Sequence, residues 1–419
     1  MMVFSSVYGV VDGFFVSNFA GKTPFAAVNF IMPFLMMLGC VGFMIGTGGS
    51  AIISKTLGEG DKERANGYFS MLVYFSIALG VVITIFGIIF IRPIAALLGA
   101  EGQMLEDCVV YGRIILLALP VFILQMEFQS FFVTAERPGL GLAVTVAAGV
   151  ANMVLDALLV GVIPLGLVGA AVATATSQAV GTIIPLIYFA SKQKSLLRLG
   201  RFSFDARALI KTCTNGSSEL MSNVSMSLVG MLYNIQLLRY AGENGVAAYG
   251  VMMYVNFVFI SIFIGYSIGT APVIGYHCGA KNHGELRGIL RKSLVIISVM
   301  SALMLGLGIA LASPLSRLFV SYDAQLLDMT VNGFYIFAFS FLFAGFAIFC
   351  SGFFTALNDG LTSAVISFLR TLVFQIAAVM LLPLIFGIDG IWISIVVAEL
   401  MAVVVGFGFL LLKRKKYQY

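Results

Sequence analysis

Twelve long apolar runs account for most of this chain, near 1–20, 24–54, 67–91, 108–135, 139–163, 166–191, 212–240, 244–276, 288–311, 328–356, 361–385 and 388–412. A helix needs ~20 apolar residues to cross the hydrocarbon core of a bilayer, so runs of this length span it, the longer ones with tilt. They lack the ~10-residue alternation of an outer-membrane strand. Composition leaves little else to build: of 419 residues 60% are hydrophobic and 10% charged, whereas soluble domains carry about 25% charged residues. The expected fold class is an all-α membrane protein with twelve transmembrane helices. The first run opens at Met1 without a charged leader, so no cleavable signal peptide is expected.

Charge orients the runs. The loops "SKTLGEGDKERANG", "AERPG", "SKQKSLLRLGRFSFDARALIK" and "GAKNHGELRGILRK" follow even-numbered runs, and with the tail "KRKK" they hold 18 of the 24 Lys and Arg residues. Positive charge stays on the cytoplasmic side. Both termini are therefore expected in the cytoplasm, in a multi-pass protein of the cell (inner or plasma) membrane.

The chain repeats itself at an offset of 221. "FAGKTPFAAV" at 19–28 faces "YAGENGVAAY" at 240–249, "SFFVTAERPG" at 130–139 faces "SGFFTALNDG" at 351–360, and Pro93 falls on Pro314. Six runs per copy is an even number, so both copies insert the same way round. The expectation is two six-helix bundles related by a parallel repeat around a central cleft: an N-lobe over 1–200 carrying a cation site, and a C-lobe over 201–419. Under the offset Met1 faces Ser222, so the first helix is expected to be short at its cytoplasmic end.

A charge at mid-bilayer costs at least ~2.5–3.5 kcal/mol, so every intramembrane ionisable residue is a functional candidate. Asn152 and Asp156 are four apart and share a helix face. Asp12, Asn152, Asp156 and Thr174 fall on Tyr233, Val373, Ala377 and Ile395, so this polar set belongs to the first copy alone. It is expected to converge into a cation-coupling site. Two buried carboxylates would hold a proton as a coupled pair, or the oxygens of Asp12, Asn152 and Asp156 would ligate Na+; a structural polar cluster is the alternative. Glu127, Gln129, Glu219, Gln178 and Glu399 are candidates for the cleft or substrate, each with a plainer reading as a solvated or hydrogen-bonded group. Arg370 is a candidate partner for Glu399.

Other chemistries find no support. Five scattered cysteines show no C-x-x-C spacing, and the two histidines sit on no metal-ligand spacing. "GEGDKERANG" lacks the G-K-[ST] of a phosphate loop, and no nucleophile–base pair is evident. An enzyme, a resident cofactor and a nucleic-acid partner are not expected. Methionine and aromatic faces suit varied, cationic ligands.

"VDGFFVSNFAG", "GTGGSAIISKTLGEGDKERAN", "NMVLDALLV", "GLVGAAVATATSQ" and "APVIGYHCGAKNHGELR" occur in that order, and over essentially its whole length the chain resembles the multidrug and toxic compound extrusion (MATE) family. The resemblance implies a twelve-helix antiporter, monomeric in lipid, that exchanges H+ or Na+ for small organic cations by rocking two lobes, with a first-lobe cation site at Asp12, Asn152, Asp156 and Thr174. Ala157 departs from the proline often found after the helix 5 aspartate. Glu219 lies earlier in its helix than the glutamate of some members. A related class, flippases for lipid-linked precursors, needs a basic cleft, whereas Arg370 is the one intramembrane cation.

Overall fold

The structure, a computed structural model, describes Phe4 and residues 22–98, 100–191, 195–200, 202–320 and 323–419. Its elements are α1 (Lys22–Gly58), α2 (Lys62–Leu98), α3 (Gly102–Leu117), α4 (Leu119–Thr134), α5 (Pro138–Asp156), α6 (Gly166–Ala190), α7 (Ala206–Gly279), α8 (His283–Val320), α9 (Ala324–Ala338), α10 (Ser340–Ala356), α11 (Gly360–Phe368), α12 (Phe374–Leu381), α13 (Pro383–Phe386) and α14 (Ile388–Tyr417). Two short π-helical segments, Ala157–Val162 and Leu369–Val373, follow α5 and α11. Among the described residues eight helical spans are long and apolar enough to cross a bilayer, and two bent helix pairs would each supply one more.

Both bends fall inside a single run of the sequence. The run at 108–135 breaks at Ala118 by 56° between α3 and α4. Pro120 stands in the first turn of α4, where a proline has no N–H to lose to the helix but blocks its continuation from behind. The run at 328–356 breaks by 44° at Phe339 without a proline. The seventh and eighth runs, numbered together as α7, are two helices that meet in a kink at Gly242, whose φ of 61° is left-handed and open to glycine at little cost. The part of α7 before Gly242 is not among the eight spans; its serines, asparagines and Glu219 lower its hydropathy. The first run lies outside the described residues.

The repeat is visible in the backbone. At an offset of 221, the bend at Ala118 matches that at Phe339, helix ends Gly58 and Gly279 correspond, and positive-φ turns fall at Gly60 and Lys281 and at Gly166 and Gly387. Between these points the turns at Glu136 and Asn358 are offset by 222, because α10 is one residue longer than α4, at 17 against 16 residues.

By internal contacts the chain divides into two compact units, Met1–Gly216 and Ser217–Tyr419. The start of α7 belongs to the first unit because it packs there: Ala208 joins a core with Phe69, Phe128, Phe131 and Phe189. A Cβ at Gly216 would collide with the Met44 carbonyl, and one at Gly48 with the Thr212 carbonyl. The segment before α7 is tied down in the same unit. Arg198 N–H donates to Asn66 Oδ1 at 2.7 Å, Gly200 N–H to Ser70 Oγ at 2.8 Å, and Leu197 is fully buried. Asp205 accepts from the Arg207 and Ala208 amides as the N-cap of α7. The Ala208 amide chiefly, with the Arg207 amide, the Tyr68 hydroxyl and the Arg64 charge, holds its carboxyl below the ordinary value against the cost of burial.

Among the described residues each unit has two apolar clusters. In the first unit α4 gives Phe122, Ile123 and Met126 to one and Phe128, Phe131 and Phe132 to the other, so Gln125, Glu127 and Gln129 sit at the change-over. In the second, one cluster forms around Tyr233, Phe337, Phe341 and Trp392, and the other around Phe349, Phe353 and Phe354. Tyr419 packs edge-on to Phe353 at 5.1 Å, and Tyr417 Oη donates to Asp359 Oδ2 at 2.9 Å. Burial raises the Asp359 carboxyl, but hydrogen bonds from Tyr417 and Thr362 and the charges of Lys413 and Lys416 outweigh it, so the group is held below the ordinary value.

Candidate functional site

In the first unit Asn152 and Asp156 end α5 one turn apart, 1% and 0% exposed. Directly after Asp156 the helix widens: Ile163 N–H bonds five residues back to the Leu158 carbonyl at 2.8 Å. The chain thus leaves α-helical geometry at Ala157 without the family's proline. Such π segments often mark functional sites. α5 packs along α6, which carries Thr174. The buried Asn152 Oδ1 and Thr174 Oγ1 have no hydrogen-bond partner among the described residues, and such an orphan costs ~1–3 kcal/mol unless something fills it. Asp12 lies outside the described residues.

Glu127 is fully buried in the first unit, with neither carboxylate oxygen hydrogen-bonded among the described residues. Gln129 lines a pocket of about 10 Å³ with Gln125 and Thr145, room for about one water. Gln178 is buried on α6. None of these lines a large cavity.

The large cavity, about 340 Å³, lies within the second unit. Glu219, Ser222, Asn223, Met226, Gly230, Tyr233 and Asn234 of α7 line one wall at helical spacing, and Tyr249, Met253, Asn256, Phe257 and Ile260 continue past Gly242. Arg370 and Glu399 face it together. The guanidinium grips the carboxylate with Nε at 2.8 and 3.1 Å from Oε2 and Oε1 and a terminal nitrogen 2.9 Å from Oε1. That fork neutralises both charges. Glu219 lines the same cavity, so two carboxylates and one guanidinium face it, a net negative set in an amphipathic wall. Tyr233 stacks on Tyr249, ring centroids 5.4 Å apart, and donates to Gln375 Oε1 at 2.8 Å.

Tyr233 occupies the position that Asp12 holds in the first copy. The wall it belongs to escaped the sequence reading, which weighed Glu219 singly. The signal was present: residues 219, 222, 223, 226, 230, 233 and 234 keep the i, i+3, i+4, i+7 spacing of one helix face.

The MatE family profile matches residues 1–158 and 220–381. Multidrug export protein MepA of Staphylococcus saprophyticus is 25% identical over 396 residues, 94% of this chain and 87% of the relative. MepA of Staphylococcus aureus strain NCTC 8325 is 24% identical over the same shares. Among solved structures, an outward-facing multidrug resistance MATE family transporter of the MOP superfamily aligns over 100% of this chain and 94% of its own, at TM-score 0.94 and 24% identity. A MOP superfamily transporter from Pyrococcus furiosus, described as having reversed polarity in its binding pocket, aligns over the same shares at TM-score 0.93 and 24% identity. The chain belongs to the MatE family, whose members are multi-pass membrane transporters and not enzymes. Its helical fold is that of the solved MATE transporters.

Proposed function

We propose that this chain is a secondary antiporter of the plasma membrane that exports small, cationic, amphipathic organic compounds in exchange for H+ or Na+. In this reading it works as a monomer with both termini in the cytoplasm and needs no further cofactor. The observation that carries it is the second-unit cavity, which methionine and aromatic side chains line together with Glu219 and where the Arg370 charge is paired with Glu399. A cavity of that balance favours a monocation with an apolar body. It disfavours the pyrophosphate of a lipid-linked precursor, the cargo of the flippase alternative, which would have to displace Glu399 to reach a guanidinium. The MepA relatives, named for multidrug export, support the same cargo class.

The coupling ion is assigned to Asn152, Asp156 and Thr174, with Asp12 as the fourth group. A buried carboxylate one turn from an orphaned amide oxygen, on a helix packed along the one that carries an orphaned hydroxyl, suits a proton or a hard cation such as Na+. Ion occupancy then acts by favouring one conformation over another. A potential of 100 mV contributes about 2.3 kcal/mol per charge, enough for one ion to support a roughly fifty-fold gradient.

Efflux of a fluorescent organic cation from proteoliposomes, under an imposed proton gradient and then a sodium gradient, tests the proposal. Accumulation against the probe's own gradient under one of them is expected. Binding without accumulation under either would refute it.

A further inference from the structure

The first copy holds its linker on one face of α2, and the second copy gives the same face to three cations. Arg198 N–H donates to Asn66 Oδ1 at 2.7 Å, Gly200 N–H to Ser70 Oγ at 2.8 Å and Asp205 N–H to Met71 Sδ at 3.2 Å, while Tyr74 Oη donates to the Gly200 carbonyl at 3.3 Å. At the offset of 221, Asn66, Ser70, Met71 and Tyr74 fall on Arg287, Arg291, Lys292 and Val295 of α8. All four are exposed, and the three cations have no ion pair among the described residues. The C-terminal tail does not take the linker's place. Its Tyr417 carbonyl lies 3.2 Å from His283 Nδ1 at the start of α8, and Tyr419 then turns into the core against Phe353.

The rest of α8 fixes what that face meets. Leu286, Ile289, Leu290 and Ile297 pack into an apolar cluster of the second unit, so the helical period turns Arg287, Arg291 and Lys292 outward. Beyond them the outward row continues as Val295, Val299 and Leu303, which are 59%, 55% and 58% exposed. His283–Arg317 is long and apolar enough to cross a bilayer, and in such a span an exposed apolar row meets hydrocarbon. The cations stand on the turns just ahead of it, within ~8 Å of helix rise, which is the depth of the headgroups. Among them is Gly288, where a Cβ would meet nothing within 4 Å. Arg287 adjoins it, and Arg291 and Lys292 follow one turn on, so the backbone there is an open seat framed by three cations. Glu285 is the one acid on these turns, and the set stays net positive.

We propose that Arg287, Gly288, Arg291 and Lys292 seat the headgroup of an anionic phospholipid, which occupies on α8 the place that the linker occupies on α2. The phosphate enters at Gly288, where no side chain blocks it, and the guanidinium groups and the ammonium group neutralise it. The acyl chains lie along Val295, Val299 and Leu303. A soluble phosphate would use the cations alone, whereas a lipid uses cations and apolar row together, and the two stand in register on one face. A zwitterionic headgroup brings its own cation to a seat that is already positive, so the site favours phosphatidylglycerol over phosphatidylcholine. The assignment needs only that α8 spans the membrane and does not depend on what the protein transports.

Native mass spectrometry of the full chain, released from detergent micelles after titration with phosphatidylglycerol or phosphatidylcholine, tests the seat. The first phosphatidylglycerol should bind more tightly than the first phosphatidylcholine, and sn-glycerol 1-phosphate at equal concentration should not displace it. A basic residue at an anionic surface contributes roughly fivefold. Replacing all three, Arg287→Asn, Arg291→Ser and Lys292→Met, writes the first copy's residues into the second and should weaken phosphatidylglycerol binding by about a hundredfold while leaving phosphatidylcholine unmoved. Gly288→Leu keeps every charge, fills the seat and should also weaken phosphatidylglycerol by roughly fivefold or more. Neutralising three exposed cations elsewhere, Lys62→Asn, Arg137→Asn and Arg207→Asn, should leave that affinity as it was. Unchanged affinity in the first triple variant overturns the proposal, and so does an equal loss in the second, which would make the attraction one of overall charge. Displacement by glycerol phosphate would move the site to a soluble anion and overturn the lipid assignment. Should the first triple variant fold poorly, Gly288→Leu decides, since its side chain points into open space, and wild-type affinity there overturns the seat.

Discussion

The Arg370–Glu399 pair offers the sharpest energetic test. Three nitrogen–oxygen contacts between 2.8 and 3.1 Å fix a forked geometry, and the side chains are 15% and 8% exposed. With charge centres ~4 Å apart and an effective dielectric constant near 20, the attraction is ~4 kcal/mol. Desolvation takes back most of that, so the pair is worth little against two well-packed apolar residues. Removing one partner is different, because the other stays stranded. Arg370→Leu and Glu399→Leu should each cost about 3 kcal/mol, the low end for a broken buried pair since the cavity admits some water. The double variant should cost about 0–1 kcal/mol, a coupling of several kcal/mol. Unfolding titrations with a denaturing detergent in mixed micelles would measure all four corners. Single costs below 1 kcal/mol, or a double cost equal to their sum, would refute the reasoning.

Three further outcomes follow from the structure. Asp156→Asn should insert and fold but abolish gradient-driven efflux of the organic cation, and normal pH- or Na+-dependent transport by that variant in proteoliposomes would remove Asp156 from the coupling site. Gly216→Ala drives a methyl into the Met44 carbonyl and should cost ~3 kcal/mol, the upper range for overpacking; a melting curve of the detergent-solubilised variant checks it, and a wild-type midpoint counts against the tight contact. Asp359 is held below its ordinary value in the folded chain, so its stabilisation is complete above the unfolded value near ~3.9 and is lost as pH falls through the lower folded one. Protease protection of the C-terminal segment should therefore be flat from neutral pH down to about 5 and fall only in stronger acid, while Asp359→Asn should be less protected throughout and lack that acid limb.

Class, repeat and most span positions were legible because the bilayer imposes them residue by residue: apolar length and a common offset survive in the linear order. What was not legible depends on three-dimensional accommodation. A run broken by 56° at Ala118 and one broken by 44° at Phe339 have the same hydropathy as straight ones. The π turns after Asp156 carry no proline to announce them. The close approach of α7 to α1 at Gly216 is a backbone contact that no local pattern records. The candidate residues divide on the same line. Singular carboxylates such as Asp156 and Glu127 stand out against an apolar background, whereas the α7 wall is built of serines, asparagines, a tyrosine and a methionine, none unusual alone, and is recognisable only by its period.

The two copies show how duplication separates scaffold from chemistry. Turns and bends that reverse or redirect the chain coincide at one offset, because moving any of them would shift a whole helix past its neighbours. The polar inventory obeys no such constraint. Where the first copy has Asp12, the second has Tyr233, held by Gln375 against Tyr249; where the first has Asp156, the second has Ala377. The second copy instead has the Arg370–Glu399 fork, where the first has Gly149 and Gln178, facing its cavity. Acidic groups persisting at matched positions would argue for a shared structural need. Their appearance at different positions in each copy argues instead that the shared fold does not need them to hold together.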